Sequence, residues 1–184
     1  MDVTTRGRLL VATPDLLDPN FARSVVLKLE HSPDGALGVV LNRPTETDIG
    51  SLFPAWRDVA AHPDVAFAGG PVAPDSVIAL ARGDGPDAVD GWVATVDGLG
   101  TIDLDKSPDE LEVTIDAVRV FAGYAGWVSG QLDDELQAGG WWVFDALPGD
   151  AFTASPDTLW SQVVRRQGGR VAWFVHCPPD PSVN

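Results

Sequence analysis

Cysteine is nearly missing from this chain. Cys177 stands alone, so no internal disulfide can form, a usage that fits a reducing cytoplasm. The three histidines, His31, His62 and His176, are scattered, and no Cys-x-x-Cys or His-x-x-x-His spacing offers a zinc set. His176 and Cys177 are neighbours, which in an extended segment point to opposite faces. The expectation is no metal and no cofactor. Long apolar runs are missing too: nothing approaches the ~20 residues that a spanning helix needs. Met1-Asp2-Val3-Thr4-Thr5 has neither the basic nor the apolar region of a signal peptide. The chain is therefore expected to be cytoplasmic, with no membrane partner.

Positive charge is the scarcest resource. Lys and Arg total 12 against 27 Asp and Glu, a net charge of −15, with Lys28 and Lys106 the only lysines and Arg165-Arg166 the only adjacent arginines. Nucleic-acid binding draws most of its affinity from cations that neutralise phosphates, so no direct nucleic-acid partner is expected. Signatures of catalysis are also missing. Gly126-Trp127-Val128-Ser129-Gly130 has the spacing Gly-x-x-Ser-Gly, whereas a nucleophile elbow needs Gly-x-Ser-x-Gly. Gly69-Gly70-Pro71 loses one N–H donor to Pro71 and is followed by no lysine-bearing helix, so close backbone packing competes with phosphate binding as its explanation.

What is present is a sheet-forming pattern. A hydrophobic content of 45% with seven Trp and seven Phe, each able to bury roughly 150–250 Å², suffices for one domain over residues 1–184. Leu9–Ala12, Ser24–Leu29 and Ala36–Leu41 are short apolar runs bounded by Pro, Gly, Asp or Asn, the mark of buried strands. His31-Ser32-Pro33-Asp34-Gly35 joins the last two: Pro33 presets φ near the turn value and Gly35 accepts a positive φ, so a hairpin is predicted. Asp48 is placed to cap a short helix through Ile49 and Leu52. Strands are predicted at Val65–Phe67, Ser76–Ala81, Trp92–Val96, Thr101–Leu104, Val118–Phe121, Trp141–Leu147 and Val171–Val175. Pro74-Asp75 reads as a turn, Arg82–Gly91 as a loop, Asp97-Gly98 as a hairpin turn and Ala122–Trp127 as a tight turn.

Three further helices carry start signals: Ser107-Pro108-Asp109-Glu110 as a capping box, Ser129 before Leu132 and Leu136, and Ser155-Pro156 before Leu159, Trp160, Val163 and Val164. Gly139-Gly140 and Gly168 supply stops. Strands outnumber helices without long crossovers. The fold class is therefore α+β: a single domain with a bent, largely antiparallel, barrel-like sheet and two to three helices packed outside.

Several stretches together resemble the YqgE/AlgH family of bacterial proteins. They are Leu10-Val11-Ala12-Thr13-Pro14, Asp18-Pro19-Asn20-Phe21 with Arg23-Ser24-Val25-Val26, Glu30-His31, and the run Gly35 to Pro44. Gly69-Gly70-Pro71-Val72, Asp75-Ser76, Arg119 to Trp127, Gly130-Gln131-Leu132, Leu159-Trp160, Arg165 to Gly169, and Asp180-Pro181-Ser182 with Asn184 extend the likeness over nearly the whole chain. The resemblance implies a compact α+β fold with a bent, barrel-like sheet and carries a transcriptional-regulator label, but supplies no catalytic residues. The chain departs from the family pattern in a shortened segment before Val118, where relatives tend to carry a longer helix.

The candidate site residues are the polar groups that local structure leaves unexplained: Asp18, Asn20, Arg23, Asn42 and Arg43. In an antiparallel hairpin the start of one strand lies beside the end of the other, so Asp18–Arg23 and Asn42-Arg43-Pro44 should meet at the end opposite the Ser32–Gly35 turn. There the two arginines could hold a carboxylate or phosphate. Alternatively, Asp18 pairs with Arg23, Asp18-Pro19-Asn20 is a turn that delivers Phe21 to the core, and the cluster ties loop to sheet. The function expected is a non-catalytic regulatory or binding module acting through a protein partner or small ligand. The alternative is an enzyme, a hydrolase or transferase, using Asp18, Arg23 and His31; His31 reads as a charged hydrogen-bond partner across the hairpin, as a general base, or as a strand-end residue capping free carbonyls.

Overall fold

In the computed structural model, which describes residues 5–96 and 98–180, the three leading apolar runs are strands: β1 (Arg8–Ala12), β2 (Val25–Ser32) and β3 (Gly35–Val40). The expected hairpin is formed, with Ser32 opposite Gly35 and Val26 opposite Val40. The chain then turns through Asn42-Arg43 into β4 (Pro44–Asp48), whose last residue caps α1 (Ile49–Leu52) by accepting the Ser51 N–H. Next come β5 (Val65–Ala68), β6 (Val72–Asp84), β7 (Ala88–Val89), β8 (Trp92–Val96), β9 (Leu99–Ile102), β10 (Thr114–Val128) and β11 (Trp141–Asp145). The helices after β10 are α2 (Gln131–Gln137), α3 (Leu159–Arg166) and α4 (Gly169–Ala172). Met1–Thr4, Asp97, Pro181, Ser182 and Asn184, on which expectations about a signal peptide, a turn and a family motif fall, lie outside the described residues.

The strands form one sheet ordered β11-β1-β2-β3-β10-β6-β9-β8-β7, with β4 and β5 beside it. Every pairing between these strands is antiparallel except β5 with β10. The sheet is bent and not closed, and its domain is α+β. β10 is the spine: residues Thr114 to Tyr124 pair with β6, while Ala125 to Val128 pair with β3 on the other edge. Both faces are covered. Leu9, Val11, Val25 and Leu27 meet α3 through Leu159, Trp160 and Val163. Leu10, Val26, Val40 and Trp127 meet α2 through Leu132. A third cluster around Trp56 and Val118 fills the far half. No helix among the described residues is long and apolar enough to cross a membrane.

Six local expectations are corrected. Ala122–Trp127 is not a tight turn but the second half of β10. Its glycines carry turn propensity, but Gly123, at φ +71°, makes the bulge by which the strand changes partners. Pro74-Asp75 lies inside β6, with Pro on an exposed stretch where no ladder bond needs its N–H. Val171–Val175 is not a strand: α4 and a 3₁₀ turn, Trp173–His176, occupy it. Ser107 forms its capping box with Glu110 on a single 3₁₀ turn, Pro108–Glu110, without a longer helix. Ser129 caps nothing; its hydroxyl donates to the Pro33 carbonyl, and Gly130 precedes α2. Ser155 makes no side-chain cap either, and α3 is entered through a 3₁₀ turn, Pro156–Thr158.

Close backbone packing explains Gly69-Gly70-Pro71. A Cβ on Gly69 would sit 2.3 Å from the Gly123 carbonyl oxygen, and one on Gly70 would sit 2.2 Å from the Tyr124 carbonyl carbon. Gly70 also holds φ +154°. Gly70→Ala is therefore expected to cost about 3–5 kcal/mol, lowering the melting temperature by about 10 °C or more. Gly149→Ala, where the added carbon meets nothing within 4 Å, should leave it within about 2 °C; differential scanning calorimetry of both variants checks this.

Candidate functional site

The five expected site residues are brought to one corner, as hairpin topology requires. Asp18 makes a turn: its carboxylate accepts the Asn20 N–H at 2.8 Å, and its carbonyl accepts Phe21 and Ala22. That turn delivers Phe21 against Trp127 and Trp141, at centroid distances of 6.1 and 5.5 Å. Asn42 is held from both ends: Oδ1 accepts the Val25 N–H at 3.0 Å and Nδ2 donates to the Arg23 carbonyl at 2.9 Å. Arg43 donates to the Ala22 carbonyl at 2.7 Å and the Pro19 carbonyl at 3.4 Å.

Arg23 does not pair with Asp18. Its guanidinium lies 4.1 Å over the Trp160 ring and donates to the Cys177 and Pro178 carbonyls. The chain there adopts φ +59°, which turns the side chain toward the C-terminal segment. Burial holds the Arg23 guanidinium below its ordinary pKa, with Cys177 opposing. Both arginines thus bind backbone carbonyls, and the corner ties the Asp18–Arg23 loop and the C-terminal segment to the sheet. Removing Arg43 leaves two carbonyls without their donor. Arg43→Ala is expected to cost about 1–2 kcal/mol, seen as a melting temperature lower by about 2–8 °C.

His31 lies at the other end of β2. At about 3.3 Å per strand residue, roughly 25 Å separates it from Arg23, so Asp18, Arg23 and His31 do not converge on one reacting atom. Its Nδ1 accepts the Thr5 N–H at 3.1 Å and is 3.0 Å from the Thr5 hydroxyl. A backbone amide can only donate, so the neutral ring carries its proton on Nε2. This imidazole stands beside a cleft of about 660 Å³, walled by Leu27, Val96, Leu99 and Ala151 with Arg6 at the rim. Arg6 donates to the Thr95 carbonyl at 2.8 Å. Asp150, also in the lining, is 6% exposed and is gripped by both Arg166 nitrogens at 2.7 and 2.8 Å and by the Leu147 N–H.

Two buried cations escaped the sequence reading. Arg119 donates from its two terminal nitrogens to the Thr153, Ala61 and His62 carbonyls, its buried Nε finds no partner among the described residues, and it stacks 4.2 Å from the Phe67 ring, burial pushing it down to about 10. Lys28 is fully buried, its Nζ has no hydrogen-bond partner among the described residues, and it stands 4.4 Å from the Trp127 ring centroid. The signal was there: a lone charge inside an apolar run, Val25-Val26-Leu27-Lys28-Leu29, in a strand whose two faces are both buried.

Desolvation pushes Lys28 down from 10.5 to about 8. Between those values the unfolded chain keeps a proton that the folded chain has released, so stability rises with pH across that window and the full penalty is present below it. The stability of Lys28→Met relative to the parent should accordingly be greatest below about pH 8, by about 3 kcal/mol, and vanish by about pH 10.5. Urea unfolding of both proteins across that range measures the difference.

Comparison with known proteins places this architecture. The AlgH-like family DUF179 matches residues 9–172. A UPF0301 protein of Streptomyces coelicolor is 48% identical over 97% of this chain and 94% of its own, and one of Thermobifida fusca is 46% identical with the same coverage. A crystal structure from Corynebacterium diphtheriae superposes with a TM-score of 0.86 at 32% identity, over 95% of this chain and 93% of that one. The solution structure of AlgH from Pseudomonas aeruginosa gives 0.69 at 25% identity, over 97% and 96%. With the family's match running from β1 to α4, the chain belongs to the AlgH-like family.

Proposed function

We propose that this protein is a non-catalytic binding module whose small-molecule ligand enters the cleft between the Thr5–Gly7 segment, the β8–β9 hairpin and the loop after β11. The observation that carries the reading is the cleft itself. Its volume of about 660 Å³ falls in the range of small-molecule sites, about 300–1,000 Å³, and its lining sets the apolar side chains of Leu27, Val96 and Leu99 beside the polar groups of Arg6, His31 and Thr95. His31 supplies an Nε2–H donor fixed by the Thr5 amide, and Leu27, Leu99 and Ala151 continue the main core into the wall.

A regulatory role then runs through the liganded protein's contacts with other proteins. Duplex DNA is a poor direct partner for a chain of net charge −15, and of its one adjacent arginine pair, Arg166 is engaged with Asp150. The hydrolase or transferase alternative loses its support where Asp18 and Arg23 stand at one end of β2 and His31 at the other.

Thermal-shift screening against a metabolite library tests the proposal. A ligand at about a hundredfold its Kd adds about 2.7 kcal/mol, or about 5–10 °C in melting temperature. The shift should disappear in Ala146→Trp, which fills the cleft, and shrink in His31→Leu. Hits that stabilise the parent and Ala146→Trp equally would place the ligand elsewhere, and turnover of a hit would restore the enzyme reading.

A further inference from the structure

We propose that Lys28 is a covalent capture site for small apolar aldehydes, gated by Trp127 and α2. The sheet is built to accommodate this side chain. Directly across from Lys28 is Gly38 on β3, and across from Gly38 is Ala125 on β10. Paired residues project to the same face, so the lysine stem lies along a lane of two small residues. Val26, Val40, Trp127 and Trp141 make that face apolar.

No hydrogen bond among the described residues compensates the amine, and the face of Trp127 offsets its burial only in part. Lys106, the other lysine of the chain, by contrast reaches Asp90 at 2.8 Å. An apolar residue of similar length would fill the lane without the desolvation cost. Residues that break the local rule of burial at a stability cost cluster at functional positions. For lysine the corresponding chemistry is specific: a desolvated amine in an apolar pocket holds more of its neutral, nucleophilic form and attacks carbonyl carbon. Burial alone produces that state here.

Access is governed by the ring that covers the amine. The Trp127 Nε1–H donates to Glu135 Oε2 at 2.9 Å, the Trp141 Nε1–H donates to the same oxygen at 2.9 Å, and Gln131 donates to the other oxygen. Glu135 thus latches both indoles to α2. This helix is seven residues long, too short to hold its shape without packing. Gly130 at φ +76° and Gly139 at φ +79° flank it, each with open space where a side chain would be. Release of Glu135 frees the indole to move off Lys28 while the sheet stays intact.

The step is a reversible condensation. The neutral ε-nitrogen forms a bond to the aldehyde carbon, its proton passes to the carbonyl oxygen by way of water, and the carbinolamine loses one water to leave a C=N bond. No oxidant or reductant is consumed.

The 184-residue chain is treated with butanal and sodium cyanoborohydride at pH 8, and the lysine-bearing peptides are quantified by mass spectrometry. Butylation of Lys28 should run at least tenfold faster than that of Lys106. Glu135→Gln, which keeps an acceptor for the indoles, should raise the Lys28 rate about twofold and Glu135→Ala at least fivefold, with Lys106 unchanged. Lys28→Met should fold, by circular dichroism, and give no product at that peptide. Faster reaction at Lys106 overturns the proposal. So does a Lys28 rate equal to the global unfolding rate in the parent and both Glu135 variants, since the amine would then be a core residue reached only by unfolding.

Discussion

Backbone lies directly against backbone where Gly69 and Gly70 cross β10, and the rest of the sheet depends on that contact. Gly69 accepts the Val40 N–H and donates to the Ala122 carbonyl, both at 2.8 Å, so it bridges β3 and β10 where β10 leaves one partner for the other. The bridge requires two chains to approach closer than any Cβ permits. On the facing strand Gly123 meets the same limit, with the Gly70 carbonyl oxygen 2.6 Å from where its Cβ would be. Because this joint holds, β10 serves both halves of the bent sheet, and hydrophobic clusters form on both of its faces.

Burial on both faces changes what a strand charge costs. In a sheet with one wet face, alternation gives every second side chain to water; along Val25–Leu29 of β2 and Ala117–Phe121 of β10 it gives each side chain to a core. The two cations in those strands meet this differently. Arg119 has a planar fork of donors, and three carbonyls from the 61–62 and 153 segments converge on it. It acts as a clamp between elements distant in sequence. Lys28 has no such set of acceptors, only the face of Trp127, and cation–π attraction offsets part of its desolvation. One buried cation organises structure, and the other is left with its chemistry.

The β2–β3 hairpin carries different work at its two ends. At the loop end, Arg23, Asn42 and Arg43 join three segments through backbone carbonyls, with the Arg23 guanidinium held over the Trp160 ring. At the turn end, the Thr5 amide orients His31 beside the cleft.

Local pattern by itself determined the strands β1 to β3, their hairpin, the caps at Asp48 and Ser107, the stop after α2 and the apolar stripe of α3, because each is decided by neighbours within a few residues. Topology carried the meeting of Asp18–Arg23 with Asn42-Arg43, since a hairpin dictates which ends lie together. Tertiary structure alone decided the rest. Gly123 reads as a turn residue until Gly69 and Gly70 are seen pressing on it, and then it marks a bulge within a 15-residue strand. Val171–Val175 has strand composition, yet no open sheet edge receives it; Phe174 instead packs on Trp142 as part of a helical turn. Arg23 had a carboxylate five residues away and took carbonyls 154 and 155 residues on. Whether Lys28 met solvent or a core likewise depended on what covered the second face of β2, and that covering came from Trp127 and α2, a hundred residues later along the chain.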